Sequence, residues 1–181
     1  MSSFLRVQKA METEVCSVYL LDPATNRYIL MATEGLYQQA VGQVSLGYSE
    51  GLIGLVGSRE EPINLEDAPS HPRYRYFPET GEERFRSFLG VPIIHHRRVL
   101  GVLVVQQRES SRCFNEGEEA FLVTISAQLA GVIAHSEATG AISGLSLTGE
   151  EPKTSASVVF PARPVLRSVR GWWFILRPTS T

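Results

Sequence analysis

Apolar and polar residues along this chain fall into short runs with two different periods. Glu14–Asp22 (EVCSVYLLD) and Arg27–Thr33 (RYILMAT) have strand length and strand composition. Between them, Asp22-Pro-Ala-Thr-Asn26 is rich in residues that set their own backbone angles, so the pair predicts a hairpin. Gly42–Leu46 reads as a weaker strand and Ile63–Leu65 as a brief one. The densest pattern is Leu89–Gln107, LGVPIIHHRRVLGVLVVQQ. Its two apolar runs predict strands over Ser87–Ile94 and Val99–Arg108, joined by the basic turn His95-His96-Arg97-Arg98. So many β-branched residues imply burial on both faces.

Helical spacing occurs in three places. Ser2–Glu12 places Phe4, Leu5, Val7 and Met11 on a short helix. Ser49-Glu50 introduces Gly51–Ser58, a short helix despite its glycines. Asn115-Glu-Gly-Glu118 has capping-box order and starts the strongest helix, which runs to Glu137. Phe121, Leu122, Ile125, Leu129, Val132 and Ile133 recur there at helical spacing. Alanines and Ser126 fill much of the remainder, which permits close approach by another helix. Ala68–Pro78 is a loop rich in proline and aromatics, and Glu79–Phe85 a single helical turn. This order predicts an α+β domain with an antiparallel sheet. First and last helices lie on one sheet face; loops and Gly51–Ser58 cover the other, leaving a pocket.

A length of 181 residues suits one compact domain with a remainder. No apolar run of membrane-spanning length and no signal-peptide order is seen, so a cytoplasmic location is expected. Cys16 in an apolar strand and Cys113 in a polar turn lack CxxC or metal spacing and read as free thiols. Charge is uneven. All 19 acidic residues fall within 1–151, with 12 of the 17 basic ones, while the last 30 residues carry five basic side chains and no acid.

Candidate chemistry is sparse. Gly51-Leu-Ile-Gly54-Leu-Val-Gly57 lacks the order and the Lys-Ser/Thr ending of a phosphate loop, and reads as a close-packed helix. Adjacent histidines on a strand point to opposite faces, so His95 and His96 do not share an ion. His71 and His135 have no neighbours that complete a set. No catalytic residue, metal or cofactor is expected. Arg73-Tyr-Arg-Tyr-Phe77 alternates basic and aromatic residues as nucleic-acid surfaces do. The run is short and flanked by acids, so it reads as a lid over the pocket, with no nucleic-acid or membrane partner expected. Asn64 and Asp67 either orient a polar ligand at the pocket mouth or stabilise turns; both readings stand.

The segments Glu14–Asp22, Tyr48–Gly57, Pro62–Ala68 and Phe88–Ile94, in this order, resemble a GAF domain with its PAS-like sheet. Glu82-Glu-Arg-Phe-Arg-Ser-Phe-Leu-Gly-Val-Pro92 and Leu100–Arg108 are similar to the N-terminal GAF domain of the nitrogen-type Enzyme I family, phosphoenolpyruvate–protein phosphotransferases of the phosphotransferase system. The resemblance spans Val7–Glu151. It implies a regulatory domain responding to nitrogen status, with glutamine or 2-oxoglutarate as small-molecule effector. Phosphate transfer to a phosphocarrier protein would belong to catalytic domains that this chain does not match. Expected ligand-binding residues are Ser17 and Tyr19 on the first strand, Asn64 and Asp67 at the rim, and Arg84 and Phe88 opposite. Arg84 would pair with a ligand carboxylate. The family also implies a homodimer through the terminal helices, although the first helix is shortened here. The alternative function is a structural dimerisation module with a vestigial pocket. An enzyme of the methionine sulfoxide reductase kind is disfavoured, because Cys16 is expected to be buried and Cys113 to lie beyond the hairpin.

These readings divide the chain into a GAF domain over 1–140, a linker over 141–159 and a tail over 160–181. The family opens its next domain with a Pro-Gly-Ala-Pro-Gly-Val-Ala-Val-Gly-like run, where this chain has Phe160-Pro-Ala-Arg-Pro-Val-Leu-Arg-Ser. Back-translated with GC-rich codons and read from the third base of the Phe160 codon, the tail yields that run. It therefore reads as a frameshift product, with a genuine basic tail as the alternative. An intact frame in independent reads of the coding DNA overturns the first.

Overall fold

The computed structural model describes residues 3–108 and 112–140; the linker and tail expectations lie outside them. In chain order the elements are α1 (Ser3–Met11), β1 (Val15–Asp22), β2 (Arg27–Glu34), β3 (Ser45–Gly47), α2 (Gly51–Arg59), β4 (Ile63–Leu65), β5 (Ser87–His95), β6 (Arg98–Gln107) and α3 (Glu116–Ala138). Single 3-10 turns sit at Gln38–Ala40, Ala68–Ser70 and Glu82–Arg84; the first of these has no counterpart in the sequence reading. The strands form one sheet in the order β3-β2-β1-β6-β5-β4, with every neighbouring pair antiparallel. The fold is α+β, as the order of elements predicts.

Strand side chains alternate between faces, and here both faces are buried. Cys16, Val18, Leu89, Val91, Leu103 and Val105 pack against α1 and α3. Tyr19, Phe88, Val102 and Val104 pack on the opposite side, against α2 and its flanking loops. This explains why β6 reads as an unbroken apolar run.

Close approach fixes α2 on the sheet. A Cβ on Gly57 would lie 1.9 Å from the Tyr28 hydroxyl oxygen, and one on Gly90 would lie 2.9 Å from Val56 Cγ2. Tyr28 is fully buried and stacks against Tyr48 with ring centroids 6.0 Å apart. Its hydroxyl has no hydrogen-bond partner among the described residues.

The α3 N-terminus carries the expected capping box. Glu118 N–H donates to Asn115 Oδ1 at 3.0 Å, and Asn115 N–H donates to Glu118 Oε2 at 2.8 Å. At the β5–β6 turn, His96 (φ 46°) and Arg97 (φ 64°) are both left-handed, as a tight two-residue hairpin loop requires. Arg98 pairs with Glu137 on α3.

One expectation for α3 changes. Leu122, Leu129 and Ile133 are buried on the sheet, but Phe121 is 38% exposed and Val123 40%. The apolar surface of the helix is wider than the face the sheet covers. Among the described residues α3 is long and apolar enough, by length and mean composition, to cross a membrane. Thr124, Ser126 and Gln128 interrupt its apolar residues, so no unbroken apolar run of that length is present, in line with the sequence expectation. In the structure one face of the helix lies on β5 and β6.

Gly57→Ala is expected to cost about 1–3 kcal/mol, the range for overpacking a filled core. Tyr28→Phe removes a buried unpaired hydroxyl and should raise stability by about 1 kcal/mol. The double variant should recover part of the Gly57→Ala loss, because the atom nearest the new methyl is gone. Urea denaturation of the four proteins measures all three effects.

Candidate functional site

The α2 side of the sheet holds a small cavity, partly open to solvent. Alternation along the central strands turns Tyr19 of β1, Phe88 of β5, and Val104 and Gln106 of β6 towards it. Phe88 and Gln106 are direct cross-strand partners. Leu52 and Ile53 of α2 form a second wall, and Tyr74, Arg75 and Phe77 of the segment after β4 close the mouth. The cavity's volume is about 30 Å³, enough for a water-sized group.

Glu82 supplies the unusual chemistry. It opens the Glu82–Arg84 turn, lines the cavity, and is only 8% exposed. Its carboxylate accepts from the Phe77 N–H at 3.2 Å and from the Gln106 side chain. No ion pair among the described residues includes it. A buried carboxylate without a cation is costly to ionise. Burial accordingly pushes the Glu82 carboxyl up to about 7, against the pull of its two hydrogen bonds. Burial raises the Tyr19 and Tyr74 phenols, and in each the Glu82 charge is the next cause. The cavity therefore has one acidic pole in an aromatic and aliphatic shell.

Among the residues expected from sequence, Tyr19 and Phe88 line this cavity. Ser17 is on the same sheet face but lies outside the lining, where its hydroxyl bonds the Thr33 hydroxyl at 2.7 Å. The expected mouth position of Asn64 is corrected. Asn64 is level with Leu89, which faces α3, so strand alternation directs its side chain to that side. There its amide donates to the Phe114 carbonyl at 2.7 Å and accepts from the Phe114 N–H at 3.1 Å.

Asp67 is likewise engaged away from the cavity, with Arg86 at 3.0 Å and with the Ser70 hydroxyl. These bonds hold its carboxyl below the usual range. Arg84 is exposed, with its guanidinium 5.9 Å from both the Tyr37 and Phe85 ring centroids. A 3-10 turn repeats every three residues, so Arg84, two residues after Glu82, faces elsewhere.

Sequence reasoning missed Glu82 and Gln106. Glu82 sits in the polar stretch Glu79-Thr-Gly-Glu-Glu-Arg84, which has the composition of a solvated turn. The available signal was Gln106, a polar residue in step with the apolar Val102 and Val104 on one face of β6. Among the described residues no group of three or more His, Cys, Asp or Glu side chains could hold a metal. Cys16 is buried, and burial pushes its thiol up, with the Glu34 charge adding to it. A thiol so raised is a poor nucleophile.

The GAF domain family model matches residues 4–133. Two curated relatives, each called "Phosphoenolpyruvate-dependent phosphotransferase system", from Escherichia coli K12 and Salmonella typhimurium LT2, are 49% identical over 163 residues. The alignment covers 90% of this chain but 21% of each relative, so the chain spans about a fifth of their length. The solved GAF domain of a phosphoenolpyruvate-protein phosphotransferase from Coxiella burnetii is 51% identical. It superposes with a TM-score of 0.73, covering 77% of this chain and 82% of that one. The corresponding Acinetobacter domain is also 51% identical, with a TM-score of 0.69 over the same shares. A free methionine-R-sulfoxide reductase from Neisseria meningitidis shares the fold at 18% identity, with a TM-score of 0.64 over 76% of this chain and 77% of its own. The chain belongs to the GAF domain family and is similar to the GAF domains of phosphoenolpyruvate–protein phosphotransferases.

Two predictions follow from the polar contacts. Unfolded, Glu82 loses its proton near its ordinary value of 4.5; folded, it keeps the proton to about 7. Its stabilising contribution is therefore fully present below about pH 4.5 and lost as pH rises through about 7, by up to ~3 kcal/mol. Glu82→Gln should remove this slope, making the variant the more stable protein at pH 8; denaturation at pH 5 and pH 8 reads it. Asn64→Ala should cost about 1–3 kcal/mol, because it strands two backbone groups of Phe114. Thermal unfolding measures that loss.

Proposed function

We propose that this GAF domain is the regulatory input domain of a phosphoenolpyruvate–protein phosphotransferase and senses nitrogen status through a small effector bound at the cavity. The observation that carries the reading is the Glu82–Gln106 pair, a polar group buried in an otherwise apolar enclosure. Binding sites combine such a shell with a few placed polar groups. Glutamine and 2-oxoglutarate are the candidate effectors. A molecule of either size needs more than the cavity's 30 Å³, so the segment carrying Tyr74, Arg75 and Phe77 moves outward on binding.

In this reading the chain carries out no phosphate transfer. That step, and contact with a phosphocarrier protein, falls to other domains of the whole protein, and the setting is the cytoplasm. Tyr19 and Phe88 form the inner wall of the effector site. Ser17, Asn64, Asp67 and Arg84 support it from outside through the contacts described above.

A second reading, dimerisation through the terminal helices, is favoured by α3. Its uncovered side presents Ala120, Thr124, Ala127 and Gly131 between Phe121 and Val123. A Cβ on Gly131 would meet nothing within 4 Å. Small residues at this spacing let a second helix approach closely, and the apolar flanks supply area to bury.

Calorimetric titration of the folded chain with glutamine and with 2-oxoglutarate tests the effector reading: heat with one is expected, and heat with neither overturns it. Sedimentation tests the second reading. A dimer at micromolar concentration that Ala127→Glu converts to monomer is expected, and a monomeric parent chain overturns it.

A further inference from the structure

We propose that Glu82 is the residue that sets specificity in this cavity, and that it takes a positively charged ammonium nitrogen of the ligand. The inference rests on the effector reading and deepens it. Three features of the site converge on this chemistry. The first is an unbalanced charge. Glu82 has hydrogen-bond donors in the Phe77 amide and the Gln106 side chain but no cation paired with it among the described residues. Arg75 lines the mouth, yet it is exposed and makes no ion pair with another described residue. The further charge that acts on Glu82 is another carboxylate, Glu83, which opposes ionisation. A ligand bringing a positive charge would complete the pair, and a dicarboxylate would add to the repulsion.

The second feature is size. The cavity holds about 30 Å³, and an ammonium group is about as large as the single water that fills such a space. The third is the lining. Tyr19, Tyr74, Phe77 and Phe88 surround the acidic pole, and aromatic surface favours a cation over an anion. A metal cation is a poorer fit, because hard cations demand six or more oxygen ligands and this lining is mostly carbon. An ammonium needs only a few acceptors.

The same head group comes from two sources, free ammonium or the amine of an amino acid. Free ammonium fits the cavity as it stands. An amino acid puts its ammonium at Glu82 and its remainder through the mouth, past Arg75.

The test uses the full chain at pH 8, where Glu82 is ionised, with binding followed by calorimetry and thermal unfolding. The probes are ammonium chloride against potassium chloride, and L-glutamine against 4-carbamoylbutanoate, the same skeleton without its amine; 2-oxoglutarate is the fifth. Ammonium or glutamine should bind at least tenfold more tightly than its partner lacking the ammonium nitrogen, which also identifies the source. Glu82→Gln, close to isosteric, should weaken that binding at least tenfold while the protein remains folded. Potassium binding as well as ammonium, 4-carbamoylbutanoate or 2-oxoglutarate binding as well as glutamine, or a Glu82→Gln variant with unchanged affinity overturns the assignment. Of these, the results with an organic effector leave the effector reading standing. No binding by any probe overturns both.

Discussion

Burial of the central strands on both faces is the constraint on which the rest of this structure depends. With α1 and α3 on one side and α2 with its loops on the other, β1, β6 and β5 have no solvated surface to receive a polar side chain. Each inward polar group therefore needs a partner inside the fold. Ser17 has Thr33, directly opposite it in register. Gln106 has Glu82. These two pairs differ in consequence: two hydroxyls satisfy each other without charge, whereas an amide beside a carboxylate leaves a negative charge unbalanced. Of these two pairs on the α2 side of the sheet, the first is complete and the second is not.

Double burial also makes the two faces mechanically continuous. Phe88 lines the cavity, and its neighbour in β5, Leu89, packs on the helix face. Asn64 lies level with Leu89 on β4 and grips both backbone groups of Phe114. Phe114 immediately precedes the α3 cap residue Asn115. The side chain of Asn64 therefore acts as a short extra strand partner, fastening the edge of the cavity-bearing sheet to the start of the last helix. The Arg112–Glu118 pair braces the same junction. A shift of β4 cannot occur without breaking these bonds or carrying the α3 N-terminus with it.

Much of this was legible in the chain because local and tertiary demands agree. The β1–β2 and β5–β6 hairpins, the three helices and the α3 cap each carry their own pattern, and tertiary packing did not override it. The site was less legible, for three physical reasons. Which face Asn64 uses depends on the register of a three-residue strand, and a shift of one residue reverses it. Arg84 carries the charge expected of a ligand partner, but the 3-10 turn aims it away. Glu82 becomes buried only because the 71–81 segment folds over it, and nothing within its own polar stretch encodes that. Tyr19 and Phe88 were accessible to sequence reasoning because long strands fix their faces.

The walls of the cavity are unequal in their freedom to move, and the glycines determine which can yield. On the α2 side, Gly57 lies against Tyr28 and Gly90 against Val56 so closely that not even one methyl group fits. At such packing density displacement requires concerted repacking of the core. The opposite wall is held differently. Tyr74 and Phe77 are partly buried, Arg75 is exposed, and the segment is tied mainly by single bonds, such as Phe77 N–H to Glu82 and Arg73 to the Ser49 carbonyl. One of those ties ends on the Glu82 carboxylate itself. A group that competes for that carboxylate therefore loosens the segment that must move to admit it, while the α2 wall stays fixed.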